Sequence, residues 1–296
     1  MRLEIVADKI QLYEPICRPE PFQNRNSLEE SLRSLVDYFC IEEGGQHFDS
    51  TKFTDRNQHL RVLLNVREPK DLPVEVQKEL DRFLWTKRLE AGIVNASGIN
   101  PVKKTFNSRC RHGEILSVWQ GDITGLCTDA IVNAANGELL GCFIPLHTCI
   151  DNAIHSAAGP QLRKDCSIIM DVQGHCELSG CAKITRAYNL PSKFVLHTVG
   201  PVVQTVLTSQ HKELLASSYQ SCLELAADIK EINHITFCCI STGIYGFPPE
   251  EAAPIAVQTV SDWLDENPER FRKIIFNVFT ERDYECYQKI FTNPGE

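Results

Sequence analysis

The segment "GCFIPLHTCIDNAIH", residues 141–155, combines residue types that bind metals. Cys142, His147 and Cys149 fall within eight residues, and zinc favours thiolate and imidazole ligands. The spacing matches none of the common four-ligand structural zinc modules, so three ligands would leave one coordination position open, as in a catalytic site. Cys149 is expected at the start of a helix, where the helix dipole lowers the pKa of a thiol.

The residues alone leave other interpretations of this segment open. Asp151 is a candidate catalytic carboxylate, but Thr148-x-x-Asp151 also resembles a helix capping box. His155, one helical turn after Asp151, is either a further metal ligand or a packing histidine. A fourth ligand would make a zinc site structural rather than catalytic. The candidates for that ligand are Cys127, Cys166, His175, Cys176 and Cys181.

Two other polar loops follow apolar, strand-like runs. In "VNAANGELLGC", Asn133 and Asn136 stand among small residues that would let a ligand approach, although asparagine also suits turns. In "ISTGIYGFPPEEAA", Gly243 and Gly246 precede a helix opened by proline, and backbone N–H groups in such a loop suit phosphate. The pattern is neither a Walker loop nor a dinucleotide-binding fingerprint, so a purely structural loop explains it equally well.

The elements that would position these loops alternate between strand and helix from residue 114 onward. Apolar runs ended by small or polar residues predict strands, and a helical pattern over residues 149–170 and two later amphipathic segments predict helices between them. Such alternation is typical of an α/β fold with a mainly parallel sheet, which binds ligands at the carboxyl ends of its strands. The predicted strands are "EILSVWQG", "DAIVNAAN", "KFVLHTVG", "HITFCCIS" and "KIIFNVFT".

The first hundred residues have helical periodicity instead. "SLEESLRSLVDYFCIEE" places apolar residues on one face, with Ser27 as the predicted N-cap, and "DLPVEVQKELDRFLWTKRLE" repeats the pattern after Pro73. Residues 95–113 are rich in turn-forming and basic residues and predict a linker or an ordered loop. We therefore predict a helical N-terminal extension over residues 1–110 and an α/β domain over residues 111–296.

The charge and the cysteine content indicate which kinds of partner and which compartment to expect. The 296 residues carry a formal net charge of −9, whereas nucleic acids and anionic membranes attract basic surfaces. No secretory segment and no uncharged apolar run of about 18 residues is evident in the sequence. With thirteen cysteines, we expect a cytoplasmic protein with reduced thiols and no nucleic-acid or membrane partner.

Taken together, five separated segments resemble macrodomains, the ADP-ribose-binding α/β/α modules. "WQGDIT", "AIVNAAN", "IDNAIHSAAG", "LSGCAKITRAYNLPSKFVLHTVGP" and "STGIYGFP" occur in the order and spacing of that family. Where most macrodomains have a glycine-rich run, this chain has "LLGCFIPLHTC", which resembles the zinc-containing microbial protein ADP-ribosyl hydrolases. "LRVLLNVREPKDLP" resembles the N-terminal extension of that subfamily. The resemblance implies a three-layer α/β/α fold with a mixed, mainly parallel central sheet and an N-terminal helical extension.

The resemblance also implies roles for individual residues. Cys142, His147 and Cys149 match the subfamily's zinc ligands, Asp151 matches a carboxylate near the scissile bond, and Asn136 matches an asparagine that holds the distal ribose. Asp122 and Ile123 match the adenine contacts, Phe247 lies near the distal ribose, and Phe279 would stack on adenine. Asn133 is grouped with the ADP-ribose-binding residues. The diphosphate loop corresponds to Ser241, Thr242, Gly243, Ile244, Tyr245 and Gly246.

The implied activity is zinc-dependent hydrolysis of the bond between the distal ribose of ADP-ribose and a protein side chain. Zn²⁺ is the expected cofactor and a mono-ADP-ribosylated protein the expected substrate, with Asp151 and Asn136 as the catalytic candidates. Two alternatives remain: a reader that binds ADP-ribose without cleaving, and a hydrolase of a small ester such as O-acetyl-ADP-ribose. A zinc nucleobase deaminase is less compatible, because its H-x-E and P-C-x-x-C signatures do not occur.

Overall fold

A computed structural model describes residues 6–44 and 55–293. The chain forms two compact units. The first contains the described residues of Met1–Ile93 together with Leu139–His175 and Arg186–Leu190, and the second contains Val94–Glu138, Cys176–Thr185 and Pro191–Glu296. The domain boundary at residue 110 stays a prediction. Within the described residues, no helix has the length and hydropathy needed to cross a bilayer.

Helices and strands alternate after an all-helical start. The helices are α1 (Arg25–Glu42), α2 (Arg56–Val66), α3 (Val74–Ala91), α4 (Val102–Thr105), α5 (Ile150–Ala158), α6 (Pro160–Gln173), α7 (Ser209–Ala227), α8 (Pro249–Glu266) and α9 (Glu281–Thr292). The strands are β1 (Val94–Asn95), β2 (Leu116–Gln120), β3 (Leu126–Cys127), β4 (Ala130–Ala134), β5 (Ala182–Arg186), β6 (Phe194–Thr198), β7 (His234–Phe237) and β8 (Lys273–Val278).

The first unit has its own apolar core, built by helices α1, α2 and α3. The helices predicted at α1 and α3 are confirmed, whereas α2 was not predicted as a separate helix. The periodic apolar residues of α1 are all buried. The N-cap of α1 is Asn24 rather than Ser27, because the Asn24 side chain accepts from the Ser27 backbone N–H at 2.9 Å. The buried members of this core are Leu28, Leu32, Leu35, Val36, Phe39, Leu60, Leu63, Leu64, Leu80 and Phe83.

The helical pattern over residues 149–170 forms two helices, α5 and α6, instead of one. Gly159 separates them with a φ of +95°, a conformation that favours glycine. Pro160 then opens α6, where the missing proline N–H costs nothing. This break ends α5 at Ala158, and α5 begins directly after the predicted metal ligands.

A six-stranded sheet organises the second unit, in the order β2-β8-β7-β4-β6-β5. The pairs β2–β8, β8–β7, β7–β4 and β4–β6 are parallel, so the predicted mixed, mainly parallel sheet is confirmed. Strand β6 is buried along its whole length, including the polar residues His197 and Thr198. Strand β5 was missed from the sequence because "AKITR" is a half-polar strand at the edge of the sheet.

Candidate metal centre and ligand-binding loops

The three predicted metal ligands lie together on one loop of the first unit, residues 141–149, here called the metal loop. The sulfur and nitrogen atoms that Cys142, His147 and Cys149 offer all lie within 4.8 Å of one another. The Cys142 Sγ and His147 Nδ1 atoms are 3.3 Å apart. Each of the three residues is half-buried, so a small ion could reach the side chains.

This donor set fits zinc. With zinc–ligand bonds of about 2.0–2.3 Å, tetrahedral ligands lie about 3.3–3.8 Å from each other, which agrees with the Cys142–His147 separation. Among residues 6–44 and 55–293, no fourth histidine, cysteine or carboxylate joins the cluster. The described residues therefore provide three ligands, the number found in catalytic zinc sites.

Cys149 is the N-cap of α5, and its Sγ accepts from the Asn152 backbone N–H at 3.4 Å. The alternative of a Thr148-x-x-Asp151 capping box does not apply, because Cys149 occupies the cap position. The predicted lowering of the thiol pKa is also wrong for the metal-free protein. Burial, with smaller contributions from the nearby Cys142 and Asp151, raises the pKa of Cys149 to about 11 despite the lowering effect of the Asn152 N–H.

Asp151 and His155 occupy successive turns of α5 in the first unit, and both are buried. The Asp151 Oδ1 and His155 Nε2 atoms are 3.5 Å apart. Gly141, with a φ of +80°, lies against the imidazole, and a Cβ added there would be 2.8 Å from the ring. His155 therefore packs beside Asp151 and lies outside the Cys142–His147–Cys149 cluster.

In the second unit, Asp122 and Ile123 form a short turn after β2. The Asp122 side chain accepts from the backbone N–H of Thr124 at 2.9 Å and from its hydroxyl at 2.7 Å. The Gly121 N–H donates to the Val278 carbonyl, so the chain enters this turn where β8 ends. Phe279, the residue after Val278, is 74% exposed. A carboxylate and an exposed aromatic ring following adjacent strand ends suit a nucleobase.

Asn133 lies inside the second unit rather than on its surface. It is fully buried on β4, with its Nδ2 atom 3.2 Å from His197 Nδ1 on the paired strand β6. His197 Nε2 is 2.9 Å from the Thr185 hydroxyl, and burial lowers the pKa of His197 to about 3. The imidazole is thus neutral and accepts from Asn133. This geometry makes Asn133 a core residue under the loop that follows β4.

Asn136 follows the end of β4 and is half-buried. Its Oδ1 atom accepts from the Glu138 N–H at 3.0 Å, which is a turn that asparagine commonly forms. The Tyr245 hydroxyl contacts the Ala135 carbonyl at 3.5 Å, so the loop that contains Asn136 lies beside the predicted diphosphate loop. The structure therefore brings these two sequence-predicted segments together within the second unit.

The predicted diphosphate loop, residues 241–246, is tightly folded at its two ends. Phe247 N–H donates to the Ser241 carbonyl at 3.0 Å, and Ser241 has a φ of +65°, which is strained for a residue other than glycine. The buried Ser241 hydroxyl has no hydrogen-bond partner among the described residues. Gly246 has a φ of +69°, and a Cβ there would be 2.7 Å from the Val203 carbonyl oxygen.

The middle of this loop is open to solvent. Gly243 is exposed with no atom within 4 Å of an added Cβ, and the Ile244 side chain is also exposed. Phe247 is 1% exposed, so its side chain packs in the core and only its backbone lies on the loop. The loop thus offers exposed backbone at Gly243 and Ile244 and a buried hydroxyl at Ser241, which suit a phosphate oxygen.

The start of helix α8, by contrast, does not resemble a phosphate site. Pro248 is the N-cap and Pro249 opens the helix, so two residues of the first turn lack an N–H donor. Glu250 and Glu251 follow in the first turn and place negative charge there. Arg282 pairs with Glu250. The N-terminus of this helix is therefore not expected to assist phosphate binding, and the loop backbone alone is assigned that role.

Sequence reasoning missed Asn152, which organises the metal loop from helix α5. It is fully buried, and its Nδ2 atom donates to the carbonyl oxygens of Cys142 at 3.3 Å and Ile144 at 3.1 Å. The available signal was a polar amide one helical turn before Ser156 in a short helix, since buried polar side chains require partners.

Comparison with known proteins agrees with this architecture. Residues 132–256 match the Macro domain family. Over 260 residues the chain is 45% identical to a protein-ADP-ribose hydrolase of Treponema medium, covering 87% of this chain and 97% of the relative. It is 44% identical to one of Staphylococcus aureus (strain MRSA252), covering 83% of this chain and 88% of the relative.

A solved structure gives the same result for the fold. The crystal structure of a Trypanosoma brucei macrodomain in complex with ADP-ribose is similar, with a TM-score of 0.58 and 30% sequence identity. The similarity covers 74% of this chain and 91% of that one. With near-complete coverage of relatives at more than 40% identity, the fold expected from the sequence is confirmed, and the chain belongs to the macrodomain family.

Proposed function

We propose that this protein is a zinc-dependent hydrolase that removes ADP-ribose from mono-ADP-ribosylated protein side chains. The observation that carries the proposal is the convergence of Cys142, His147 and Cys149 within 4.8 Å, followed two residues later by the buried carboxylate of Asp151. The two relatives named protein-ADP-ribose hydrolase support the same activity.

The groups proposed for bond cleavage belong to the first unit. A zinc ion held by the two thiolates and the imidazole would supply a Lewis acid with an open coordination position. Asp151 orients the attacking water and accepts its proton, a role that typically contributes about 10²–10⁴-fold to the rate. His155, 3.5 Å away on the same helix, fixes the position of that carboxylate.

The groups proposed for ADP-ribose recognition belong to the second unit. Asp122 and Phe279 bind the adenine, the backbone of residues 241–246 binds the diphosphate, and Asn136 binds the distal ribose. Asn133 supports the Asn136 loop from the core through His197. Binding energy from contacts with the adenine and the diphosphate, which do not react, generally serves to hold the reacting ribose in place.

The test follows release of free ADP-ribose from a mono-ADP-ribosylated protein by metal-loaded and chelated enzyme. We expect release from the metal-loaded form and its loss on chelation, with restoration when zinc is returned. Tight ADP-ribose binding without release would instead identify a reader. Equal rates after verified zinc removal would contradict the role of the metal while leaving the hydrolase in place.

A parallel assay with O-acetyl-ADP-ribose separates the second alternative. Faster turnover of the ester than of the modified protein would assign the site to small esters. The proposed location is the cytoplasm, because all thirteen cysteines lie among the described residues as free thiols, a state that a reducing compartment maintains.

A further inference from the structure

We propose that helix α2 of the N-terminal segment positions the metal loop, with Asn65 and Arg61 as the residues that hold it. This inference rests on the zinc site of the proposed function and adds residues that are remote from it in sequence. Asn65 precedes Leu146 of the loop by 81 residues. All the contacts described below belong to the first unit.

Asn65 binds the metal loop directly, between two of the ligands. Its Oδ1 atom accepts from the Leu146 backbone N–H at 3.0 Å, one residue before His147. Leu146 has a φ of +54°, a left-handed conformation that a leucine seldom adopts without support. Asn65 is 1% exposed, so its amide is buried against this turn and shielded from water. The bond therefore maintains a strained turn that sets the direction of His147.

Asn65 is itself oriented by helix α5. Its Nδ2 atom donates to the Ser156 hydroxyl at 2.8 Å, and that hydroxyl donates to the Asn152 carbonyl at 2.6 Å. Because the Nδ2 atom of Asn65 donates to Ser156, the Oδ1 atom of the same amide faces Leu146. The two ends of one side chain thus link the metal loop to the helix that Cys149 caps.

Arg61, one turn before Asn65 on α2, acts through Asn152. Its Nη2 atom donates to the Asn152 Oδ1 atom at 2.9 Å. This fixes the orientation of the Asn152 amide, so that its NH₂ group faces the loop and donates to the carbonyl oxygens of Cys142 and Ile144. Arg61 and Asn65 on α2 thus match Asn152 and Ser156 on α5, each pair one helical turn apart.

Arg163 of α6 links α2 to the start of the metal loop through hydrogen bonds. Its Nε atom donates to the Leu140 carbonyl at 2.7 Å, and its Nη1 atom donates to the carbonyl oxygens of Leu64, at 3.1 Å, and Arg67. The guanidinium also lies 4.3 Å from the Phe143 ring centroid. Buried polar side chains from three helices therefore converge on one short loop, which pre-organises its three ligands. Such supporting contacts commonly change metal affinity about 10–100-fold.

The experiment measures zinc affinity, by competition with a chromophoric chelator, and the visible spectrum of the cobalt-substituted full-length protein. The variants are Asn65→Ala, Asn65→Asp and Arg61→Ala. Asn57→Ala is the matched control, because Asn57 lies exposed on the same helix and its side chain bonds Asp55. Thermal unfolding of each chelated variant shows whether it folds without metal.

We expect Asn65→Ala and Arg61→Ala to bind zinc about 10–100-fold more weakly and to shift the cobalt ligand-field bands, with the chelated proteins still folded. Asn65→Asp keeps the oxygen that accepts from Leu146 and is expected to restore most of the affinity and the parent spectrum. Asn57→Ala is expected to match the parent in both.

Three results would overturn the inference. The first is parental zinc affinity and cobalt spectrum in Asn65→Ala. The second is failure of both alanine variants to fold when chelated, which would give α2 a role in folding rather than in positioning. The third is a parent protein that binds no zinc, and this result alone also removes the metal from the proposed function. The two proposals are distinguished by comparing the parent with Asn65→Ala. A parent that binds zinc supports the metal site, and weaker binding in Asn65→Ala supports the positioning role of α2.

Discussion

The Sγ atom of Cys142 and the Nδ1 atom of His147 lie 3.3 Å apart on the metal loop of the first unit. A separation of this size agrees with the distance between two ligands of one tetrahedral ion, and it is also that of a thiol–imidazole hydrogen bond. Cys149 completes the cluster from the cap of α5, and Asp151 follows in the first turn of the same helix. One helix start therefore provides both a metal ligand and the candidate base.

Removing any one of the three ligands should lower zinc affinity by more than the about 10–100-fold that loss of an orienting residue costs. Cys142→Ala, His147→Ala and Cys149→Ala can each be assayed for bound zinc by atomic emission after dialysis. Cys17→Ala is the control, because Cys17 is exposed and lies outside the cluster. Full zinc content in any one of the three variants would exclude that residue from the site.

Asp151→Asn should retain ADP-ribose binding and lose about 10²–10⁴-fold in turnover, because an amide cannot accept the proton of a water molecule. Calorimetry with ADP-ribose and single-turnover release from a modified protein measure the two properties separately. Asp171→Asn, an exposed change on α6, should leave both unchanged. Parental turnover in Asp151→Asn would leave Asp151 with a purely structural role.

Gly246→Ala should destabilise the protein by about 1–3 kcal/mol, because φ there is +69° and the added Cβ would be 2.7 Å from the Val203 carbonyl oxygen. Gly243→Ala is the matched change three residues away, where the added Cβ meets no atom within 4 Å. Denaturant unfolding should show a loss for the first variant and little change for the second. Equal stabilities would mean that the loop relaxes freely around Gly246.

Protonation of His197 should destabilise the protein in acid. Burial lowers its pKa from 6.5 to about 3, so below pH 6.5 the unfolded chain binds a proton that the folded chain does not. Stability is therefore lost as pH falls from 6.5 towards 3, by up to about 5 kcal/mol from this group.

Nitrogen NMR of the folded protein checks the cause of this loss. We expect His197 to remain neutral, with the proton on Nε2, from pH 7 down to about pH 4, since Nδ1 accepts from Asn133. A titration midpoint near pH 6.5 in the folded protein would contradict the prediction.

Much of the fold was predictable because the apolar residues that become buried recur at regular spacings in the sequence. The apolar spacing of α1 and the apolar residues Phe194, Val195 and Leu196 of β6 favour arrangements that remove these side chains from water. The breaks were harder to predict. Gly159 and Pro160 divide one helical pattern in two, and the polar edge strand β5 lacks the apolar signal of a buried strand.

The candidate metal ligands could be predicted because all three fall within eight residues of one loop, where chain connectivity itself keeps them close. Their supports could not, because Asn65 lies 81 residues before Leu146 and Arg61 lies 91 residues before Asn152, on a helix that was not predicted. Only the packing of α2 against α5 brings the two amides and the guanidinium to the loop.

The sequence by itself determined the alternation of strands and helices, the order of the loops and the residue types that they present. The tertiary structure decided which polar groups are withdrawn from water. Burial turned Asn133 into a core residue and raised rather than lowered the pKa of the Cys149 thiol. Burial and long-range pairing depend on distant parts of the chain, so the spacing of residues within one segment does not predict them.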